Sequence, residues 1–182
     1  MILSYIYIEG IEKATRREAR QMQSDAARKL LKNMLVYCGI SESSVERDDN
    51  GRPYLSGCRD IDFNFSHSGN IAVCALSVGE GRVGVDVENS ELCISEDHRE
   101  RFVKRYLKPK NDINDLAEAW TAREAYLKYL GTGLSGGISS VDPGLDSNIR
   151  IECLRIEKYC VSVCLEKDRE LKVIYPLCQE KE

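Results

Sequence analysis

Apolar residues recur along this chain in two rhythms, one with the period of a strand and one with the period of a helix. Alternating or continuous apolar runs predict strands at about 2–8, 61–65, 71–76, 82–88, 149–156, 159–165 and 171–175. Ile71-Ala72-Val73-Cys74-Ala75-Leu76 is apolar throughout, as a strand covered on both faces should be. Three- and four-residue spacing of Ala27, Leu30, Leu31, Leu35 and Cys38 predicts a helix over Asp25–Cys38. Ser24 is its expected N-cap and Gly39 its expected C′ residue, with Lys13, Arg16, Arg17 and Arg20 forming a basic stretch before it. A second helical pattern lies around 96–107 and stops before Pro109. A third, capped by Asn114, carries Leu116, Trp120, Arg123, Leu127 and Leu130 at helical spacing. Turn-forming residues at Asp48–Pro53 and Gly79-Glu80-Gly81 punctuate the strands.

Each half of the chain thus supplies a helix and several strands. The expected fold class is α+β, built as two pseudo-symmetric lobes with the active site between them. Residues 1–90 form the N-terminal lobe and 91–182 the C-terminal lobe of one compact unit. With 182 residues, 42% of them apolar and 31% charged, the chain has the composition of a globular protein with a real core. The net charge of −4 removes any bulk electrostatic case for nucleic acid or an anionic membrane. The first strand is preceded by no positive n-region and holds no cleavage site, and no apolar run approaches the roughly 20 residues of a membrane span. The expectation is a cytoplasmic protein. Eight cysteines without a Cys-x-x-Cys pair, and two histidines without zinc-ligand spacing, read as reduced structural thiols.

Candidate chemistry changes the picture at four places. In Arg82–Glu88 the valines at 83, 85 and 87 share one face, and Gly84, Asp86 and Glu88 share the other. Two carboxylates on one strand face repel unless a cation or solvent relieves them, and all-oxygen donors suit a hard divalent ion; a solvated strand edge is the plainer alternative. Gly84 leaves room on that face. On the third helix, Glu124 and Lys128 stand one turn apart, either as an ordinary surface pair or as part of a site. Ser66-His67-Ser68-Gly69 is either a polar hairpin turn or a set of donors for an anion. Arg28 opens the first helix beside its apolar stripe, solvated or ligand-binding. Gly131-Thr132-Gly133-Leu134 follows a helix, which excludes a dinucleotide-binding reading.

The order and approximate spacing of Gly51-Arg52-Pro53, Phe63–Gly69, Gly84–Glu88, Trp120–Lys128 and Gly131–Leu134 resemble those of the 4′-phosphopantetheinyl transferases, in their larger Sfp-like subgroup. The likeness covers roughly residues 25–135. It implies transfer of phosphopantetheine from coenzyme A to a serine of an acyl or peptidyl carrier domain. By position in the motifs, Asp86, Glu88 and Glu124 would hold Mg²⁺ (or Mn²⁺), Glu124 would take the serine proton, and Lys128 would neutralise phosphate oxygens. Arg28, Gly51, Arg52, Pro53, Ser66, His67, Arg123 and Lys128 would contact coenzyme A, His67 at its 3′-phosphate. Arg52 and Arg123 stand where lysine is common in the family, and the connection before Trp120 is short. A chain holding both lobes is expected to act as a monomer, with Arg101, Lys104, Arg105 and Lys108 offered to the carrier. A metal-dependent phosphohydrolase using the same carboxylates, and a non-catalytic coenzyme A or carrier-binding module, are the competing readings.

Overall fold

The computed structural model describes residues 1–41, 44–79, 81–90, 100, 113–132 and 141–174. The expected helix around 96–107, the basic cluster at 101–108, the side chain of Asn114 and the Gly133-Leu134 pair lie outside the described residues. In chain order the elements are β1 (Ile2–Tyr7), α1 (Arg16–Tyr37), β2 (Val45–Arg47), β3 (Pro53–Leu55), β4 (Ile61–Ser68), β5 (Ile71–Val78) and β6 (Val83–Asn89). Then come α2 (Ile113–Leu130), β7 (Ile149–Ile156), β8 (Tyr159–Glu166) and β9 (Lys172–Ile174). The chain is therefore α+β, as expected.

Two sheets form the centre. The larger has the strand order β4-β5-β1-β9 and the smaller β6-β8-β7. Alternation decides what each face meets. Leu3, Ile71, Val73 and Ala75 of the first sheet pack against Val83, Val85, Val87, Val161, Val163 and Leu165 of the second, making one core between the sheets. On the far side of the first sheet, Ala72, Cys74, Leu76 and Phe63 meet the α1 stripe of Ala27, Leu30, Leu31, Met34 and Leu35. On the far side of the second, Cys164 and Ile149 meet Ala125 of α2. The order of layers is helix, sheet, sheet, helix, and covering both faces of β5 accounts for its unbroken apolar run.

Helix α1 begins well before the expected Asp25. Thr15 is its cap: the Thr15 hydroxyl accepts from the Glu18 N–H, and the Glu18 carboxylate accepts from the Thr15 N–H at 2.8 Å. The first two turns are nearly all polar, so hydrophobic spacing could not reveal them. The far end is as expected. Gly39, at φ 69°, returns its N–H to Val36 and Ile40 returns its own to Leu35, a Schellman close.

Gly84 is where α2 touches β6. A Cβ there would lie 2.0 Å from the Ala125 carbonyl oxygen and 2.5 Å from the Tyr129 nitrogen. The room that this glycine leaves is taken by the helix backbone. Deeper in the same contact, Thr121 and Ser162 bring their hydroxyls to 2.7 Å, and both are fully buried. The six described cysteines are free thiols. Among the described residues no helix is long and apolar enough to cross a membrane.

Candidate active site

Strands β4 and β6 are edge strands of different sheets, and they run side by side in the same direction without a backbone ladder between them. Side chains do the joining. Asp62 Oδ2 accepts the Val83 N–H at 2.7 Å, and Asn64 Oδ1 accepts the Val85 N–H at 3.4 Å. One and two steps on, Ser66 donates to Asp86 Oδ1 at 2.8 Å and Ser68 donates to Glu88 Oε2 at 2.7 Å. The polar positions of β4 thus form a seam along β6. Ser66, His67 and Ser68 belong to the strand itself, and Gly69-Asn70 makes the turn.

Helix α2 lies over this seam because Gly84 lets it approach. It delivers Glu124, only 8% exposed, beside Asp86, only 5% exposed. Lys128, one turn on, reaches across both strands. Its ammonium donates to Asp86 Oδ1 at 2.8 Å, the Val85 carbonyl at 3.0 Å and the Ser66 hydroxyl at 3.1 Å. Burial and the neighbouring Asp86 carboxylate push the Glu124 carboxyl above its ordinary pKa, with Glu88 adding and Lys128 opposing. Burial raises Glu88 too, against the Ser68 hydrogen bond and with the help of Asp86. Asp86 thus raises both Glu88 and Glu124, and the three acids share one electrostatic site.

A divalent metal fits this donor set. Asp86 Oδ2 is buried without a hydrogen-bond partner, a costly state for a carboxylate oxygen unless a cation takes it. The available donors are all carboxylate oxygens, which suits a hard ion. Among the described residues no three acidic, imidazole or thiol groups converge on a single point as they stand. Lys128 provides the local positive charge beside Asp86.

Next to the seam opens a cavity of about 690 Å³. Arg28, Arg47, Arg52, His67 and Lys128 line it with Ser24, Asn50, Asn64 and Ser66, and no carboxylate is among the described lining residues. In a chain of net charge −4, that concentration of cations fits an anionic ligand. Of the residues proposed from the sequence, Arg28, Gly51, Arg52, Pro53, Ser66, His67 and Lys128 meet on this cavity wall. Arg123 does not: it lines a separate hollow on the far flank of α2, with Asp142, Asp146 and Arg150. Arg52 lines the cavity while its guanidinium bonds to protein atoms, the Lys128 and Val83 carbonyls and the Asp62 carboxylate. His67 is exposed to the cavity, and the surrounding protein together with the Lys128 ammonium holds its imidazole below its ordinary pKa. Ser68, offered by the sequence as a donor to an anion, donates to Glu88 instead. Arg47, Asn50 and Asp62 are not among the site residues expected from the sequence, although the polar alternate positions of β4 carry a signal for Asp62.

The fold and site define a protein with a cation-lined cavity beside three neighbouring carboxylates. The family model of the 4′-phosphopantetheinyl transferase superfamily matches residues 82–174, from β6 through α2 to β9. This chain belongs to that superfamily. The 4′-phosphopantetheinyl transferase Sfp of Bacillus subtilis is 28% identical over 188 residues, covering 94% of this chain and 81% of Sfp. The transferase gsp of Aneurinibacillus migulanus is 30% identical over 130 residues, 64% of this chain and 53% of that protein. A Synechocystis protein named for the same activity is 34% identical over 99 residues, 48% of this chain and 37% of its own length. The aligned part thus spans less than two thirds of the last two relatives.

Proposed function

We propose that this protein transfers 4′-phosphopantetheine from coenzyme A to a serine hydroxyl of an apo acyl or peptidyl carrier protein, releasing adenosine 3′,5′-bisphosphate. The observation that carries the reading is Lys128, which lines the cation-rich cavity and at the same time contacts Asp86 of the acidic triad. An anion bound in the cavity would be met at the triad by a fixed positive charge.

In this reading Arg28, Gly51, Pro53, Ser66 and His67 hold the nucleotide end of coenzyme A, with His67 at the 3′-phosphate. Asp86, Glu88 and Glu124 hold Mg²⁺ or Mn²⁺, which when bound supplies a Lewis acid that draws charge from the phosphate oxygens. The carrier serine oxygen attacks the β-phosphorus, and the bond from that phosphorus to the bridging oxygen of the pyrophosphate breaks. Glu124 takes the serine proton, directly or through a water; a carboxylate that also holds a metal is a weak base, which favours the route through water. Lys128 neutralises the oxygens on which charge develops. The same proposal takes the chain as a monomeric cytoplasmic enzyme of two lobes, 1–90 and 91–182, acting on neither membrane nor nucleic acid.

Incubation with coenzyme A, Mg²⁺ and a panel of apo carrier domains tests the reading by mass spectrometry. A carrier that gains phosphopantetheine supports it. Hydrolysis of coenzyme A with no gain on any carrier would instead favour a phosphohydrolase, and binding without turnover a binding module.

A further inference from the structure

The last carbonyls of a helix have no partner within it. At the end of α2 the Gly131 N–H reaches the Leu127 and Lys128 carbonyls at 3.0 and 3.2 Å, and two arginines from the strand side add side-chain donors. Arg52 donates Nη1 to the Lys128 carbonyl. Arg82 donates Nη1 to the Leu130 carbonyl at 2.8 Å, with the Tyr129 carbonyl at 3.4 Å. Gly131, at φ 75°, sits between them: a Cβ built there would lie 3.4 Å from Arg82 Nη1 and 3.5 Å from Arg52 Cδ. Cationic side chains at this end also complement the helix dipole.

Both arginines are fixed to the strands that form the site. Arg52 Nη2 donates to Asp62 Oδ2 of β4 at 2.5 Å and to the Val83 carbonyl of β6 at 2.9 Å, and the side chain is only 8% exposed. Arg82 directly precedes β6. The Lys128 ammonium rests on atoms of the same two strands, Ser66 of β4 and Val85 and Asp86 of β6. Lys128 is therefore held at both ends, its carbonyl by Arg52 and its ammonium by the seam. With the carbonyl released, a four-carbon side chain could keep its ion pair while the helix end shifted.

We infer that Arg52 and Arg82 are positioning residues for phosphopantetheine transfer: together they fix where α2 ends relative to β4 and β6, and so where Lys128 and Glu124 stand. The inference rests on the transferase reading above. It assigns Arg52 a duty other than the phosphate contact that its motif suggested. The planar fork of a guanidinium serves all three of its acceptors, and a lysine ammonium at position 52 would not.

The test compares Arg82→Met, Arg52→Lys and Arg52→Met with the unaltered protein. Arg82 is not among the described residues lining the cavity, so its loss removes none of the cavity's side chains. Arg82→Met and Arg52→Lys should each lower kcat roughly ten- to hundredfold, the scale of a small misplacement of reacting groups. KM for coenzyme A should stay within about threefold, since binding is not what is lost. Losses should be equal with coenzyme A and dephospho-coenzyme A. Hydrogen exchange should quicken in the peptide spanning 127–131 and stay unchanged in α1. The inference is overturned if Arg52→Lys keeps full kcat while Arg52→Met raises KM for coenzyme A alone, which makes Arg52 a 3′-phosphate contact. It is equally overturned if the variants lose thermal stability but the folded protein keeps its kcat. Should the unaltered protein transfer nothing, the transferase reading fails by itself, and unchanged exchange at 127–131 then rejects the clamp. If the Arg52 variants do not fold, Arg82→Met, an exposed position, decides alone.

Discussion

The two oxygens of Asp86 are in different situations. Oδ1 takes hydrogen bonds from Ser66 and Lys128, whereas Oδ2 is buried and has none. Asp86→Asn keeps the shape and an acceptor for Lys128 but puts a donor or a neutral oxygen where the cation would bind. We predict that transfer falls at least about a hundredfold, as for loss of one electrostatic group in an active site, with an unchanged far-ultraviolet circular dichroism spectrum. A collapsed spectrum would make Asp86 structural. His67 offers a second measurement at this scale. Its folded pKa lies below the ordinary 6.5, so the unfolded chain binds more protons and stability falls as pH drops through that value. The stability advantage of the natural protein over His67→Gln should shrink between pH 8 and pH 5.5 in thermal melts. An advantage that grew on acidification would mean that His67 gains a proton on folding. In kinetics, His67→Ala should raise KM for coenzyme A and leave dephospho-coenzyme A unaffected. Asp86, Glu88, Glu124 and Lys128 could be picked out in the sequence because strand and helix periods put each pair on one face, and the family resemblance singled out those two pairs. The direction of the Arg52 guanidinium could not be read, since Lys128 and Val83, whose carbonyls it binds, are far from it in the chain.

Elements meet most closely at Gly84, and there the cost of a side chain is set by backbone, which cannot swing away. Gly84→Ala must push α2 off β6. The expected destabilisation is on the order of 3 kcal/mol, at the upper end for overpacking a core. Urea unfolding would measure it. Activity of the protein that remains folded should fall as well, because Glu124 and Lys128 ride on the displaced helix; full activity would show that the site tolerates the shift. At the other helix, Thr15→Ala removes the cap of α1 and should cost about 1 kcal/mol. Since Thr15 is far from the seam, kcat should not change. The beginning of α1 escaped the hydrophobic pattern for the same reason that this cap matters: its first turns bury little, so local hydrogen bonds rather than packing hold them. Strands β2 and β3 were missed because they are three residues long and largely exposed. The β4 strand was read short because its polar positions face another strand rather than water, an environment that alternation alone cannot distinguish from a turn.

At the scale of the molecule, each half of the chain lends a strand to the other's sheet. Strand β6 comes from the first half yet is the edge of the β6-β8-β7 sheet, pairing with β8 from Val83↔Leu165 to Asn89↔Tyr159. Strand β9 comes from the end of the described chain and pairs in parallel with β1. The core between the sheets draws its valines from both halves, and the seam that carries Asp86 and Glu88 exists only when β4 and β6 lie together. Neither sheet can therefore be completed, nor its inner face covered, by one half alone. The expected consequence is a single cooperative unfolding transition. Trp120 is the only tryptophan and lies on α2, so its fluorescence reports the second half, while circular dichroism reports α1 as well. The two probes should give the same urea midpoint and the same slope. A tryptophan transition that preceded the loss of α1 signal would show the halves unfolding in turn. The site, which needs atoms from β4, β6 and α2 together, would then be lost at the earlier midpoint.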